Sequence, residues 1–176
     1  MRRYYVTDRK QADVIECARR AVADGVDMIQ VREKDMDARG LLELATTIVR
    51  IAHGSATRVL VNDRLDVALA ADAHGVHLPS DGLPVTAVRP LIALVGISTH
   101  SLDDVQRAET DGADFVVFGP LFETPGKTAI GLDRLTRVAS GTDVPVYGIG
   151  GITIENAGSV ITAGAVGIAG IRLFQT

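Results

Sequence analysis

Short apolar runs recur along the chain, and between them lie longer segments whose apolar positions return every third or fourth residue. The short runs fall at about residues 3–7, 27–32, 58–62, 75–78, 93–98, 114–119, 144–149 and 166–169, and most are rich in Val and Ile. That is the pattern of strands buried on both faces of a parallel sheet. The longer segments read as helices. Over 11–24, Val14, Ile15, Ala18, Ala21 and Val22 keep helical spacing and stop at Gly25; over 40–52, Leu41, Leu44, Ile48 and Ile51 do the same before Gly54. Further helices are predicted over about 63–72, 84–90, 101–111, 131–139 and 153–163. At Gly25, Gly75, Gly112 and Gly164 a glycine that reads as a helix stop is followed at once by an apolar strand.

Eight alternations of strand and helix predict an α/β fold with one domain over 1–176, a closed (β/α)8 barrel. The competing open doubly wound sheet would carry a glycine-rich dinucleotide turn after its first strand, and Thr7-Asp8-Arg9-Lys10 is no such turn. The chain is short for a barrel, which typically needs about 250 residues. Connections must be minimal, and the last helix must be abbreviated because only Ile171 to Thr176 follow the eighth strand.

Composition is consistent with this. A length of 176 residues at 47% hydrophobic content fills one substantial core and hardly two. No apolar run approaches ~18 residues and no basic segment leads into an apolar one at the N-terminus, so neither a membrane span nor a signal peptide is expected, and a cytoplasmic protein is. Cys17 is the only cysteine; among Val14, Ile15, Ala18 and Ala21 it reads as a small buried side chain. A net charge of −4 with scattered basic residues argues against nucleic-acid binding. An anionic ligand would have to be held by local cations, of which Arg32, Lys34 and Lys127 stand out.

In a barrel the chemistry gathers at the C-terminal ends of the strands. Alternation in Met28 to Lys34 puts Gln30, Arg32 and Lys34 on one face, where an Arg fork and a mobile Lys charge suit phosphate or diphosphate. Equally, those cations pair with Glu33, Asp35 or Asp37 as ordinary surface charges. Asn62-Asp63-Arg64 follows the third strand directly; Asp63 either ligates magnesium together with phosphate oxygens or caps the next helix. His77 shares a strand face with Gly75; a solitary histidine on a short strand is more often structural than catalytic. Ser98, on one face with Gly96, either bonds a ligand or caps the helix near Ser101. The stretch from Phe118 to Thr128, with Thr124 and Lys127, reads as a flap over phosphate or a plain surface excursion. Gly148-Ile149-Gly150-Gly151-Ile152-Thr153, between the seventh strand and the helix expected from Thr153, suits a phosphate held by backbone N–H groups.

Taken together these segments resemble the thiamine phosphate synthase and thiazole tautomerase family. The blocks are Tyr5-Val6-Thr7-Asp8, Gln30-Val31-Arg32-Glu33-Lys34, Val61-Asn62-Asp63-Arg64 with Asp66 to Ala70, Gly75-Val76-His77-Leu78, Gly96-Ile97-Ser98-Thr99-His100, Phe118-Gly119-Pro120 and Gly148-Ile149-Gly150-Gly151-Ile152, in order along nearly the whole chain. The resemblance implies a (β/α)8 barrel whose synthase members join a pyrimidine diphosphate to a thiazole phosphate. It implies Gln30, Arg32 and Lys34 on the diphosphate or pyrimidine with Asn62 nearby, and Asp63 on Mg2+. His77 and Ser98 would line the pocket, Thr124 and Lys127 would come from the flap, and the backbone of Gly150 and Gly151 would hold the thiazole phosphate. The partners implied are these two small phosphorylated heterocycles, and a homo-oligomer is left open.

Three positions depart from the family pattern. Gly82 occupies the place of a second magnesium carboxylate, with Asp81 one residue out of register; Thr124-Pro125-Gly126-Lys127 keeps one of two threonines; and Arg172 stands where a serine is common. Loss of a carboxylate implies weak magnesium binding. The tautomerase branch, which needs neither diphosphate nor metal, places its catalytic histidine near Pro120, and a non-catalytic protein holding thiazole or thiamine phosphate is the third reading. The transferase reading is preferred because Asp63, Arg32, Lys34 and Lys127 together would be surplus in a tautomerase.

Overall fold

The computed structural model describes residues 1–175; Thr176, the last residue of the expected abbreviated helix, lies outside the described residues. Eight parallel strands close into a barrel in chain order, with β1 paired to both β2 and β8. They are β1 (Arg2–Val6), β2 (Met28–Val31), β3 (Arg58–Asn62), β4 (Gly75–Leu78), β5 (Leu94–Thr99), β6 (Phe115–Phe118), β7 (Val146–Gly148) and β8 (Gly167–Gly170). Outside run α1 (Val14–Ala23), α2 (Ala38–Ala52), α3 (Leu65–Ala70), α4 (Val85–Val88), α5 (Leu102–Thr110), α6 (Leu132–Ser140) and α7 (Ala157–Thr162), with a 3₁₀ turn at Arg172–Phe174 in place of an eighth helix. The barrel, the eight strands and the shortened end therefore agree with the sequence reading. No helix among the described residues is long and apolar enough to cross a membrane.

Side-chain caps set the helix starts. Asp13 accepts from the amides of Ile15 and Glu16 to open α1, Asp37 accepts from Gly40 in α2, and Ser101 with Asp104 forms a reciprocal capping box on α5. Gly25, Gly112 and Gly164 stop their helices at positive φ, as expected. Gly75 does not. It is the buried first residue of β4, where a Cβ would lie 2.3 Å from the Leu94 carbonyl oxygen, and the positive φ after α3 belongs to Asp72. The helix expected from Thr153 begins only at Ala157, because the Thr153 amide donates to Asn156 Oδ1 (2.8 Å) and a local turn replaces the first helical turn.

Outward strand residues such as Ile29, Val61, Val95, Val116 and Ile168 meet the helices, and Cys17 is buried in that layer. The barrel interior is a separate cluster built on Tyr4, Phe115 and Tyr147, with Met28, Leu60, Val117 and Ala169. The three rings meet edge to face at centroid distances of 5.4–6.1 Å. Two glycines make room for them: a Cβ on Gly96 would lie 2.2 Å from the Phe115 ring, and one on Gly167 would lie 2.8 Å from Tyr147. The aromatic plug fills the lower barrel, below the C-terminal ends of the strands.

Candidate active site

Above the aromatic plug the interior turns polar. Gln30 on β2, His77 on β4 and Ser98 on β5 point inward, and Tyr4 on β1 joins them from below. Gln30 Nε2 donates to the Tyr4 hydroxyl (2.9 Å), which lies 3.3 Å from His77 Nδ1, and His77 Nε2 lies 2.9 Å from Ser98 Oγ. Tyr4, Gln30 and His77 are buried and Ser98 is partly open to the rim. Burial, aided by the nearby Arg32 charge, holds the His77 imidazole neutral, its pKa pushed down to about 3. Burial likewise keeps the Tyr4 phenol protonated. His77 is thus a neutral interior hydrogen-bonding group between Tyr4 and Ser98. Ser98 is not the helix cap, a role taken by Ser101.

Strand pairing in β2 ends at Val31, and the next residues are fixed by side chains instead. The Thr7 hydroxyl, fully buried, accepts from the Arg32 amide (2.9 Å) and donates to Glu33 Oε1 (2.6 Å). Glu33 also accepts from the Arg9 amide (3.1 Å), while Asp35 pairs with Arg9 and Lys10 and Asp37 caps α2. The nearby carboxylates are therefore engaged elsewhere, and among the described residues neither Arg32 nor Lys34 has an ion pair, which disposes of the surface-pair alternative. Arg32 is partly buried and close enough for its charge to act on His77; Lys34 is exposed.

At the end of β3, Asn62 sits in register with His77, and Asp63 adopts φ +64°, the left-handed region that a non-glycine residue rarely occupies. Its amide donates to the His77 carbonyl (2.8 Å), and the Arg64 amide closes a three-residue turn on Asn62 (2.7 Å). Asp63 does not cap α3, whose N-cap is Arg64 without a side-chain bond. Arg64 turns to Asp66 through Nε (2.8 Å) and Nη2 (2.6 Å), leaving the Asp63 carboxylate without an ion pair among the described residues. Asp81 is exposed in the β4–α4 loop, and no grouping of three His, Cys, Asp or Glu side chains suited to a metal occurs among the described residues. A Cβ on Gly82 would lie 2.8 Å from the Pro79 ring. One carboxylate beside an amide fits magnesium carried in on a substrate diphosphate, since Mg2+ keeps several waters and commonly takes one or two protein carboxylates plus phosphate oxygens. It does not fit a metal caged by protein alone.

The β6–α6 connection folds back over the same rim. Thr124 and Lys127 form a short antiparallel bridge, the Lys127 amide donating to the Thr124 carbonyl (3.0 Å), and Ala129 donates to Glu123 Oε1 (3.2 Å). Lys127 is exposed without an ion pair among the described residues. Gly150 (φ +95°) and Gly151 (φ +65°) lie beneath this connection: a Cβ would meet Pro120 at 2.5 Å and Phe122 at 2.7 Å. Packing of the flap alone demands both glycines, a role that the sequence reading, which considered only an approaching phosphate, did not assign. Arg172 is exposed just past β8 on the same rim. A concavity of about 1070 Å³ lies at the opposite end, among Arg2, Asp27, Arg58, His74 and Asp114 at the strand starts. Arg32, Lys34, Lys127 and Asp63, without ion pairs among the described residues, lie at the strand ends, where barrels place their chemistry.

Fold and rim together define a (β/α)8 barrel with Arg32, Lys34 and Lys127 past the C-terminal ends of its strands. The thiamine monophosphate synthase family model matches residues 3–174, and the chain belongs to that family. It is 42% identical to the thiamine-phosphate synthase of Roseiflexus castenholzii over 94% of this chain and 77% of that protein. It is 39% identical to that of Moorella thermoacetica over 88% and 77%. Among solved structures, the thiamine phosphate pyrophosphorylase from Pyrococcus furiosus superposes with a TM-score of 0.90 at 35% identity, covering 97% of this chain and 85% of that one.

Proposed function

We propose that the chain is a thiamine phosphate synthase, a transferase that joins hydroxymethylpyrimidine diphosphate to thiazole phosphate. The observation that carries this reading is the set of charges without an ion pair among the described residues on one rim of a barrel of this family: Arg32, Asp63 and Lys127. In the reaction the bond between the pyrimidinylmethyl carbon and the diphosphate oxygen breaks, its electron pair leaving with diphosphate. The thiazole nitrogen lone pair then forms the new C–N bond, giving the thiazolium of thiamine phosphate without a proton transfer at the reacting carbon.

Charge therefore develops on the leaving group, and the useful protein groups are donors and cations placed there in advance. Arg32 and Lys34 would meet the diphosphate, Lys127 would close over it from the flap, and Ser98 would donate to it. Asn62 and the polar interior around Gln30 would orient the pyrimidine, His77 acting through Ser98. Asp63, with Asp81 at most from a distance, would hold magnesium, which when bound neutralises the leaving diphosphate. Thr124 and the backbone of Gly150 and Gly151 would receive the thiazole phosphate. A tautomerase would need a histidine where Pro120 stands. Incubation of the purified protein with both substrates and Mg2+ should give thiamine phosphate and diphosphate in equal amounts. No product, with thiazole phosphate still bound by calorimetry, would refute the reading.

A further inference from the structure

We infer that Tyr4 is a positioning residue for the reaction proposed above: it fixes His77 with its ring hydrogen on Nε2, so that Ser98 receives that hydrogen and turns its own proton toward the anionic leaving group. Four hydrogen-bonding groups, Gln30, Tyr4, His77 and Ser98, form one directed chain. An amide nitrogen only donates, so the bond from Gln30 Nε2 (2.9 Å) makes the Tyr4 oxygen an acceptor. The phenol proton is then directed to its other neighbour, His77 Nδ1, at 3.3 Å. A neutral imidazole that accepts at Nδ1 carries hydrogen at Nε2, and Nε2 donates to Ser98 Oγ at 2.9 Å. Ser98 is left with a free proton and a partly open position at the rim.

Burial of Tyr4 and His77 excludes water from the intermediate links, so the direction set at Gln30 is carried to Ser98. The reverse direction would have Ser98 donate to His77 and show only lone pairs to the rim, an arrangement that repels phosphate. Arg32 lies beside the same chain and without an ion pair among the described residues, so the donor polarity and the cation act on one ligand charge.

The test begins with nitrogen NMR of the histidine-labelled wild-type protein at neutral pH, with His77 assigned through His77→Gln. The expected pattern is a protonated Nε2 and a bare Nδ1. Tyr4→Phe should mix or invert that pattern and lower kcat/KM about tenfold, the worth of one hydrogen bond to a charged group. Ser98→Ala should lower it comparably, and Tyr4→Phe with Ser98→Ala should be no worse than Ser98→Ala alone, because Tyr4 acts through Ser98. Hydrogen on Nδ1 in the wild-type protein, or multiplying losses in the double variant, would overturn the inference. The ring pattern needs no turnover and stands even if Tyr4→Phe does not fold. An inactive wild-type protein would be seen separately, as failure of the synthase reading.

Discussion

The hydroxyl of Thr7, at the end of β1, holds the carboxylate of Glu33 at 2.6 Å and the amide of Arg32 at 2.9 Å, tying the first two strand ends together beneath the candidate diphosphate site. Thr7→Val keeps the shape and removes both bonds. Each buried group left without a partner costs about 1–3 kcal/mol, and Glu33 retains the Arg9 amide and a looser ion pair with Arg9 Nε at 3.9 Å. Urea denaturation should show a loss of about 2–4 kcal/mol. The KM for the pyrimidine diphosphate should rise as Arg32 loses its fixed backbone. Unchanged stability would remove the clamp from the account.

His77 makes stability fall on the acid side. Its pKa is lowered from 6.5 to about 3 by burial and by Arg32. Above 6.5 both folded and unfolded chains keep the ring neutral. As pH falls from 6.5 toward 3 only the unfolded chain takes the proton, so stability drops by up to about 1.4 kcal/mol per pH unit. His74, also lowered by burial, adds to this slope. Thermal melts of the wild-type protein and His77→Gln between pH 7 and 5 check the expectation: the variant should be the flatter of the two.

The barrel was legible because each link in it is local. Val and Ile runs mark strands buried on two faces, and helical spacing with Gly25 or Gly112 marks the stops. The capping pair Ser101 and Asp104 was within reach of the same rules. What could not be read was the direction and company of side chains brought together across the barrel. Tyr4 looks like its neighbour Tyr5 in sequence, yet alternation sends one into the barrel and the other to the helices. Glu33 looked like a surface carboxylate and is buried because Thr7, far away in sequence, receives it. Gly150 and Gly151 carry a flexible signature, and only the flap above them shows why a side chain cannot stand there.

Gly82 stands where the family resemblance expects a second magnesium carboxylate, and the Pro79 ring occupies the space a side chain would need, 2.8 Å from its Cβ. Gly82→Asp alone should destabilise by about 1–2 kcal/mol through overpacking without lowering the Mg2+ concentration for half-maximal turnover. Adding Pro79→Gly opens the space. The double variant should then need less Mg2+, on the order of tenfold, because affinity follows ligand charge and number. A metal titration of turnover in the three proteins decides it; equal curves would show that position 82 does not face the metal.

Asp63 couples backbone strain to chemistry. At φ +64° the backbone favours glycine, while its carboxylate, without an ion pair among the described residues, is the candidate to meet magnesium on a diphosphate. Two substitutions separate these properties. Asp63→Gly and Asp63→Ala both remove the carboxylate and should both lower magnesium-dependent turnover by about 10²-fold or more, the scale of a preorganised electrostatic contact. Their stabilities should differ: glycine accepts the turn, whereas alanine keeps the Cβ strain and lacks the polar side chain that makes Asp tolerable there, so Asp63→Gly should be the more stable by about 1 kcal/mol. Chemical denaturation beside a turnover assay reads both quantities. An active Asp63→Gly protein would remove Asp63 from the metal role, and equal stabilities would show that the turn relaxes when its carboxylate is lost.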